Sequence, residues 1–103
     1  HPSLLPAFKG LDAARQAIAA GVRIAGCSVH YVRAETDTGP ILLQAAVPVL
    51  PEDDEAALAS RILTQEHRLY PAAVRLIAEG KVRIEGERCL VDGLPSPLGL
   101  AST

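Results

Sequence analysis

The stretch Val22–Val32 is apolar on both of its faces, and that narrows the fold more than any other feature of the chain. Val22, Ile24, Ser28, His30 and Val32 fall on one side of a two-residue period. Arg23, Ala25, Cys27, Val29 and Tyr31 fall on the other. A β-branched run with that period is a strand. A strand apolar on both sides belongs to a sheet covered by helices on both sides, as in α/β proteins. Pro40–Leu50 reads as a second strand, with Pro48 at its end or at a sheet edge, because proline donates no ladder hydrogen bond.

Around these strands the period changes. Leu11, Ala14 and Ile18 fall at helical spacing, with Asp12 suited to the helix start and Gly21 to the position just past its end. Pro51–Glu55 opens a longer helix that runs to Gly80, capped by Asp53 or Asp54, its acids at the positive end of the dipole. Pro71 predicts a kink or two abutting helices near Tyr70. Lys81–Ile84 and Arg88–Val91 flank Glu85-Gly86-Glu87 as a hairpin. His1–Gly10 and Arg33–Gly39 read as loops. Residues 1–92 are expected to fold, and 93–103 to form a poorly ordered tail.

Helix, strand, loop, strand, helix is part of an α/β sheet: open, mostly parallel and flanked by helices. Two strands are too few, so parallel strands beside Val22–Val32 are expected from chain upstream. A chain that starts at His and contains no Met is expected to have lost its natural start. In open α/β sheets ligands sit at the carboxyl ends of strands, which predicts His1 and Arg33–Asp37 on one rim.

Composition narrows the function. Hydrophobic residues at 49% exclude a disordered chain, and aromatics at only 3% make the core aliphatic. A net charge of -2, with scattered basic residues, argues against nucleic acid or anionic membrane as a partner. Cys27 and Cys89 lie in no metal or redox spacing, which suits buried thiols in a reducing cytoplasm. The apolar run Ile41–Leu50 is too short to span a bilayer.

Several residues could carry chemistry. His1 has the acid–base range for catalysis near neutral pH, although a His before Pro in a loop is ordinarily only a loop residue. Asp37 is either a functional acid or a turn acid bonded to its own backbone. His30, mid-strand among apolar residues, reads as buried, neutral and hydrogen-bonded, with Ser28 as a neighbour. Glu66 falls on the apolar stripe of Leu58, Ile62 and Leu69. It therefore needs an ion pair, with Arg61 or Arg68, or a ligand contact. Asp37-Thr38-Gly39 alone would suit an aspartic protease. That mechanism needs two facing carboxylates in an almost wholly β fold, and the sequence after Asp54 is strongly helical. A metal site from His1, His30, His67 and Asp37 lacks close ligand spacing, so no metal is expected.

The joint pattern is more specific than any of its parts. HPSLLPAFKG at His1–Gly10, GCSVHYV at Gly26–Val32, DTGPILLQ at Asp37–Gln44 and QEHRLYP at Gln65–Pro71 together resemble the phosphoribosylglycinamide formyltransferases, over roughly His1 to Asp92. HPSLLP and DTG are shared by several formyltransferases and hydrolases: methionyl-tRNA formyltransferase has a similar HPSLLP loop, whereas formyltetrahydrofolate hydrolase is closer at Val29-His30-Tyr31 but departs from SLLPAFKG. QEHRLYP is the best discriminator and favours the purine enzymes.

The resemblance implies an enzyme of purine (IMP) biosynthesis that moves a formyl group from 10-formyltetrahydrofolate to the amine of glycinamide ribonucleotide. It implies a cytoplasmic enzyme, monomeric or homodimeric at full length. His1 matches the catalytic His, and Asp37 the acid that pairs with it and favours its charged form. Arg33, Ala34, Glu35, Thr36 and Asp37 match a loop that holds the folate. Glu66, with Leu63 beside it, matches the ribose contact of the nucleotide. Ser28 and His30 match positions just behind the reaction centre. The family's catalytic Asn and phosphate loop lie upstream of the matching His, so the chain as given is expected to be inactive alone. Other readings are a hydrolase, a tRNA formyltransferase, or a module that only dimerises or binds folate.

Overall fold

A computed structural model describes residues 1–93. The expected tail lies, from residue 94 onward, outside the described residues. Six elements follow one another: α1 (Ala13–Ala20), β1 (Ile24–His30), β2 (Ile41–Pro48), α2 (Glu55–Ala78), β3 (Val82–Glu85) and β4 (Arg88–Val91). The strands form one open, mixed sheet in the order β1-β2-β4-β3. β1–β2 and β3–β4 are antiparallel ladders, and β4 joins β2 in parallel at a single pair, Ile41 with Arg88.

The sheet has two different covers. On one face Ala25, Cys27, Leu43, Ala45 and Val47 pack with Leu58, Ile62, Leu69 and Ala73 of α2 to form the core. This core is aliphatic, as the composition requires. On the other face Ser3–Leu5 lies over Gly26, Ser28 and Gln44. A loop therefore covers the second face of β1 where a helix was expected. The close approach explains Gly26: a Cβ there would meet the Ala45 carbonyl oxygen at 2.0 Å and Leu4 Cδ2 at 2.8 Å.

His1 lies along the free edge of β1. His1 and Ser28 exchange both backbone hydrogen bonds, His1 N to Ser28 O at 2.7 Å and Ser28 N to His1 O at 2.8 Å. Mutual exchange is the antiparallel pattern. His1 itself is therefore paired antiparallel to Ser28 on this edge.

Local chemistry sets the element ends. Gly21, at φ 75°, closes α1 with its N–H on the Ala17 and Ile18 carbonyls. Asp12 precedes α1 but makes no side-chain cap, because its backbone is left-handed (φ 58°). Leu11 lies outside the helix and is exposed. The burial that periodicity assigned to Leu11 falls instead to Ala13, Ala14 and Ala17. Asp54 caps α2 by accepting from Ala57 N at 2.8 Å. α2 runs unbroken through Pro71. Proline at 71 takes away the hydrogen bond to the carbonyl of His67. Pro71 and His67 are both exposed, so water can satisfy that carbonyl, while Leu69 and Ala73 hold the helix to the sheet.

Asp53 has a different task from the one expected. It accepts two hydrogen bonds from Arg61, at 2.6 and 2.9 Å, and one from Leu50 N at 2.7 Å. Arg61 also donates to the Pro48 carbonyl at 2.9 Å, so the pair clips the end of β2 to α2. The Arg61 guanidinium, with the Leu50 N–H, holds the Asp53 carboxyl down to about 2. A depressed carboxyl stabilises the fold above its unfolded value of about 3.9, and that contribution is lost as pH falls through the folded value. Stability to urea should therefore decline between roughly pH 4 and pH 2. In Asp53→Asn this part of the decline should be smaller. An acid limb identical to that of the natural sequence would remove Asp53 from it.

Candidate active site

The His1 loop, the end of β1 and the loop after it meet at one carboxylate. Asp37 Oδ1 lies 3.3 Å from Nδ1 of His1 and 3.8 Å from Nε2 of His30. Its other oxygen, Oδ2, accepts from Gly10 N at 2.7 Å. The His1 and Asp37 side chains are only 7% and 15% exposed, so their attraction is poorly screened. His1 Nε2 donates to the Phe8 carbonyl at 2.9 Å. His30 Nδ1 donates to the Tyr31 carbonyl at 2.9 Å.

This arrangement constrains protons. A carbonyl oxygen can only accept, so the nitrogen facing it must carry hydrogen. For His1 that nitrogen is Nε2, and the carboxylate at Nδ1 calls for a second proton. The doubly protonated ring satisfies both neighbours. When doubly protonated, the ring carries a positive charge in a largely enclosed place, suited to stabilising negative charge that develops on a substrate.

Two backbone features aim the groups. Asp37 sits at φ 53°, a left-handed conformation that Asp tolerates better than most residues. Gly39 follows where no side chain fits: a Cβ would lie 1.5 Å from the Tyr31 carbonyl oxygen. Tyr31 N in turn bonds the Pro40 carbonyl at 3.0 Å, closing the base of the loop. Below it the ladder register slips between Val29 and His30, where Leu42 is the extra residue on β2. Bulges of this kind re-aim a side chain beside a site.

Ser28 is buried, and its hydroxyl is fully used. It accepts from Leu5 N at 3.1 Å and Gln44 Nε2 at 3.0 Å, and donates to the Ser3 carbonyl at 2.7 Å. It anchors the His1 loop rather than contacting His30. Gln44, Gly10 and the Phe8 carbonyl were not singled out by sequence reasoning. Gly10, left-handed at φ 84°, carried the only readable signal, since a backbone donor leaves no trace in side-chain identity.

Arg33, Ala34, Glu35 and Thr36 form an exposed loop leading into Asp37. A cleft of about 980 Å³ opens beside it, lined by Leu5, Arg33, Asp37–Gly39 and Leu90 among others. Arg33 is paired with Glu87 at 2.9 Å. Glu66 and Leu63 are not brought into this cluster. Both lie on α2, and Leu63 is exposed. Glu66 is half-buried and has no ion pair among the described residues, because Arg61 holds Asp53 and Arg68 bonds Gln65. Burial, and then the Glu66 charge, push the Cys27 thiol up to about 11, so it stays protonated and inert at neutral pH.

Gly39→Ala should push the backbone at position 39 away from that of Tyr31 and cost at least about 1–3 kcal/mol. A lower urea midpoint at unchanged slope is the expected reading. An unchanged midpoint would mean that the loop is not braced where the geometry places it.

The sequence profile of the formyl transferase family matches residues 1–74. Phosphoribosylglycinamide formyltransferase of Escherichia coli is 42% identical over 97 residues, which is 94% of this chain and 46% of that protein. The crystal structure of glycinamide ribonucleotide transformylase 1 from Symbiobacterium toebii superposes with a TM-score of 0.87 at 60% identity, over 88% of this chain and 43% of that one. A formyltetrahydrofolate deformylase from Pseudomonas syringae has a TM-score of 0.84 at 31% identity, over 88% of this chain and 30% of that one. The chain thus spans less than half the length of these relatives. With the profile matched across the His1 loop, α1, β1, β2 and most of α2, the chain belongs to the formyl transferase family.

Proposed function

We propose that this chain is the catalytic, carboxyl-side part of an enzyme that transfers a formyl group from 10-formyltetrahydrofolate to the amine of glycinamide ribonucleotide in purine synthesis. The observation that carries the reading is the enclosed His1–Asp37 pair, set in a chain 60% identical to a glycinamide ribonucleotide transformylase. The deformylase shares the fold at about half that identity, and this favours an amine over water as acceptor.

Each group then has a task. As the amine attacks the formyl carbon, negative charge grows on the formyl oxygen, and the protonated His1 ring stabilises it. Asp37 holds Nδ1, favours the charged ring by proximity and fixes its orientation. Gly10 N–H keeps the carboxylate turned toward the ring. His30 and Ser28 stand behind this pair, one against Asp37 and the other under the His1 backbone. The exposed loop Arg33–Asp37 offers backbone donors and acceptors to the pterin end of the folate, beside the open cleft. Glu66 would accept from the ribose hydroxyls, with Leu63 at the edge of that contact. Tetrahydrofolate release carries the test. In the polypeptide encoded together with its amino-terminal half, release should depend on the nucleotide. Equal release without it would make the enzyme a hydrolase.

Asp37→Asn should lower turnover by roughly 10²–10⁴-fold while nucleotide binding stays nearly intact. Turnover at the natural level in that variant would end the role given to Asp37. Glu66→Ala should raise KM for the nucleotide roughly ten- to hundredfold. A change confined to the folate would contradict its placement.

A further inference from the structure

His1 Nε2 is already spent on a neighbour inside its own loop, and that neighbour is held in a costly conformation. Phe8 has φ 52°. Left-handed backbone is uncommon outside glycine, asparagine and aspartate, and for a bulky side chain it is an outlier. Such strain persists only where the surroundings impose it. Here the Phe8 ring packs against the core, while its carbonyl turns back to accept from His1 Nε2 at 2.9 Å. Two residues later Gly10 N–H holds Asp37 Oδ2 at 2.7 Å. The end of the loop thus grips both members of the pair through main-chain atoms.

We infer that Phe8 is a positioning residue whose carbonyl is the resting acceptor for the His1 Nε2 proton. The inference rests on the catalytic reading of His1 given above. Asp37 occupies Nδ1, so Nε2–H is the one ring donor that can be redirected. In the resting enzyme it points at a neutral carbonyl. When an oxyanion forms on the substrate, it competes for the same proton, and a charged acceptor makes a bond about twice as strong as a neutral one. No bond to the protein is made or broken covalently; one hydrogen bond is exchanged for a stronger one. The carbonyl thereby keeps the ring protonated and in register before substrate arrives, and contributes to the difference between ground state and transition state.

The test separates backbone geometry from packing. Phe8→Val places a β-branched residue where a left-handed conformation is strongly disfavoured, whereas Phe8→Asn loses the ring but tolerates that conformation. In the full-length enzyme, Phe8→Val should lower kcat on the order of a hundredfold, with KM for the nucleotide unchanged. It should also displace the limb of the pH–kcat profile that belongs to His1. Phe8→Asn should recover most of that turnover and the natural profile, despite lower thermal stability. If both variants lose activity alike, or if Val leaves kcat and the profile unmoved, the inference is wrong. A second measurement needs no variant: histidine 15N–1H correlation spectra of the natural enzyme should show His1 Nε2 protonated at neutral pH. A bare Nε2 would exclude the bond to Phe8, whatever the activity assays give. Loss of nucleotide-dependent transfer in the natural enzyme would instead strike the reading of the preceding subsection and leave the Nε2 result standing.

Discussion

The Ser28 hydroxyl is the point at which the sheet and the His1 loop become a single structure. It is buried in the middle of β1 and makes three hydrogen bonds, two to loop backbone and one to Gln44 on β2. A buried hydroxyl left without partners is costly, so each bond holds the others in place. Because His1 also exchanges both backbone bonds with Ser28, the position of the imidazole is tied to β1. Loop residues acquire the precision of a strand in this way.

On that footing the site is assembled mostly from main chain. Asp37 is held by a backbone N–H and His1 by a backbone carbonyl, and His30 is turned by its neighbour's carbonyl. Main-chain atoms cannot be moved by rotamer changes, so the charges they orient cost little to organise when a reaction begins. The cost appears as positive φ at Phe8 and Asp37 and as a glycine at 39 that admits no side chain.

Much of the fold was legible. The alternation of Val22–Val32 and the apolar run after Pro40 located both long strands, and Gly21 and Asp54 marked helix ends with recognisable chemistry. Pro71 did not split the helix in two, because its effect depends on which side of the helix it occupies, and period alone does not say which side meets water. Leu11 misled because the left-handed Asp12 delays the helix past it. The His1–Asp37 pairing was readable through the resemblance alone, since nothing in the spacing of two loop residues requires them to touch. Glu66 stood out as a carboxylate on an apolar stripe, yet its half-burial with no ion pair among the described residues is a property of the packed helix.

The sequence by itself determined the local facts: where strand and helix periods run, which turns need glycine, and which side chains own acid–base chemistry. These follow from steric and hydrophobic rules acting over a few residues. Only the tertiary structure decided that a loop rather than a helix covers the second face of β1. It alone showed that His1 is bonded through both of its backbone groups to Ser28. It alone brought the carbonyl of Phe8 and the N–H of Gly10 to bear on His1 and Asp37. The physical reason is that every residue carries the same backbone donor and acceptor, so their use is set by where the chain returns in space and leaves no mark on side-chain identity.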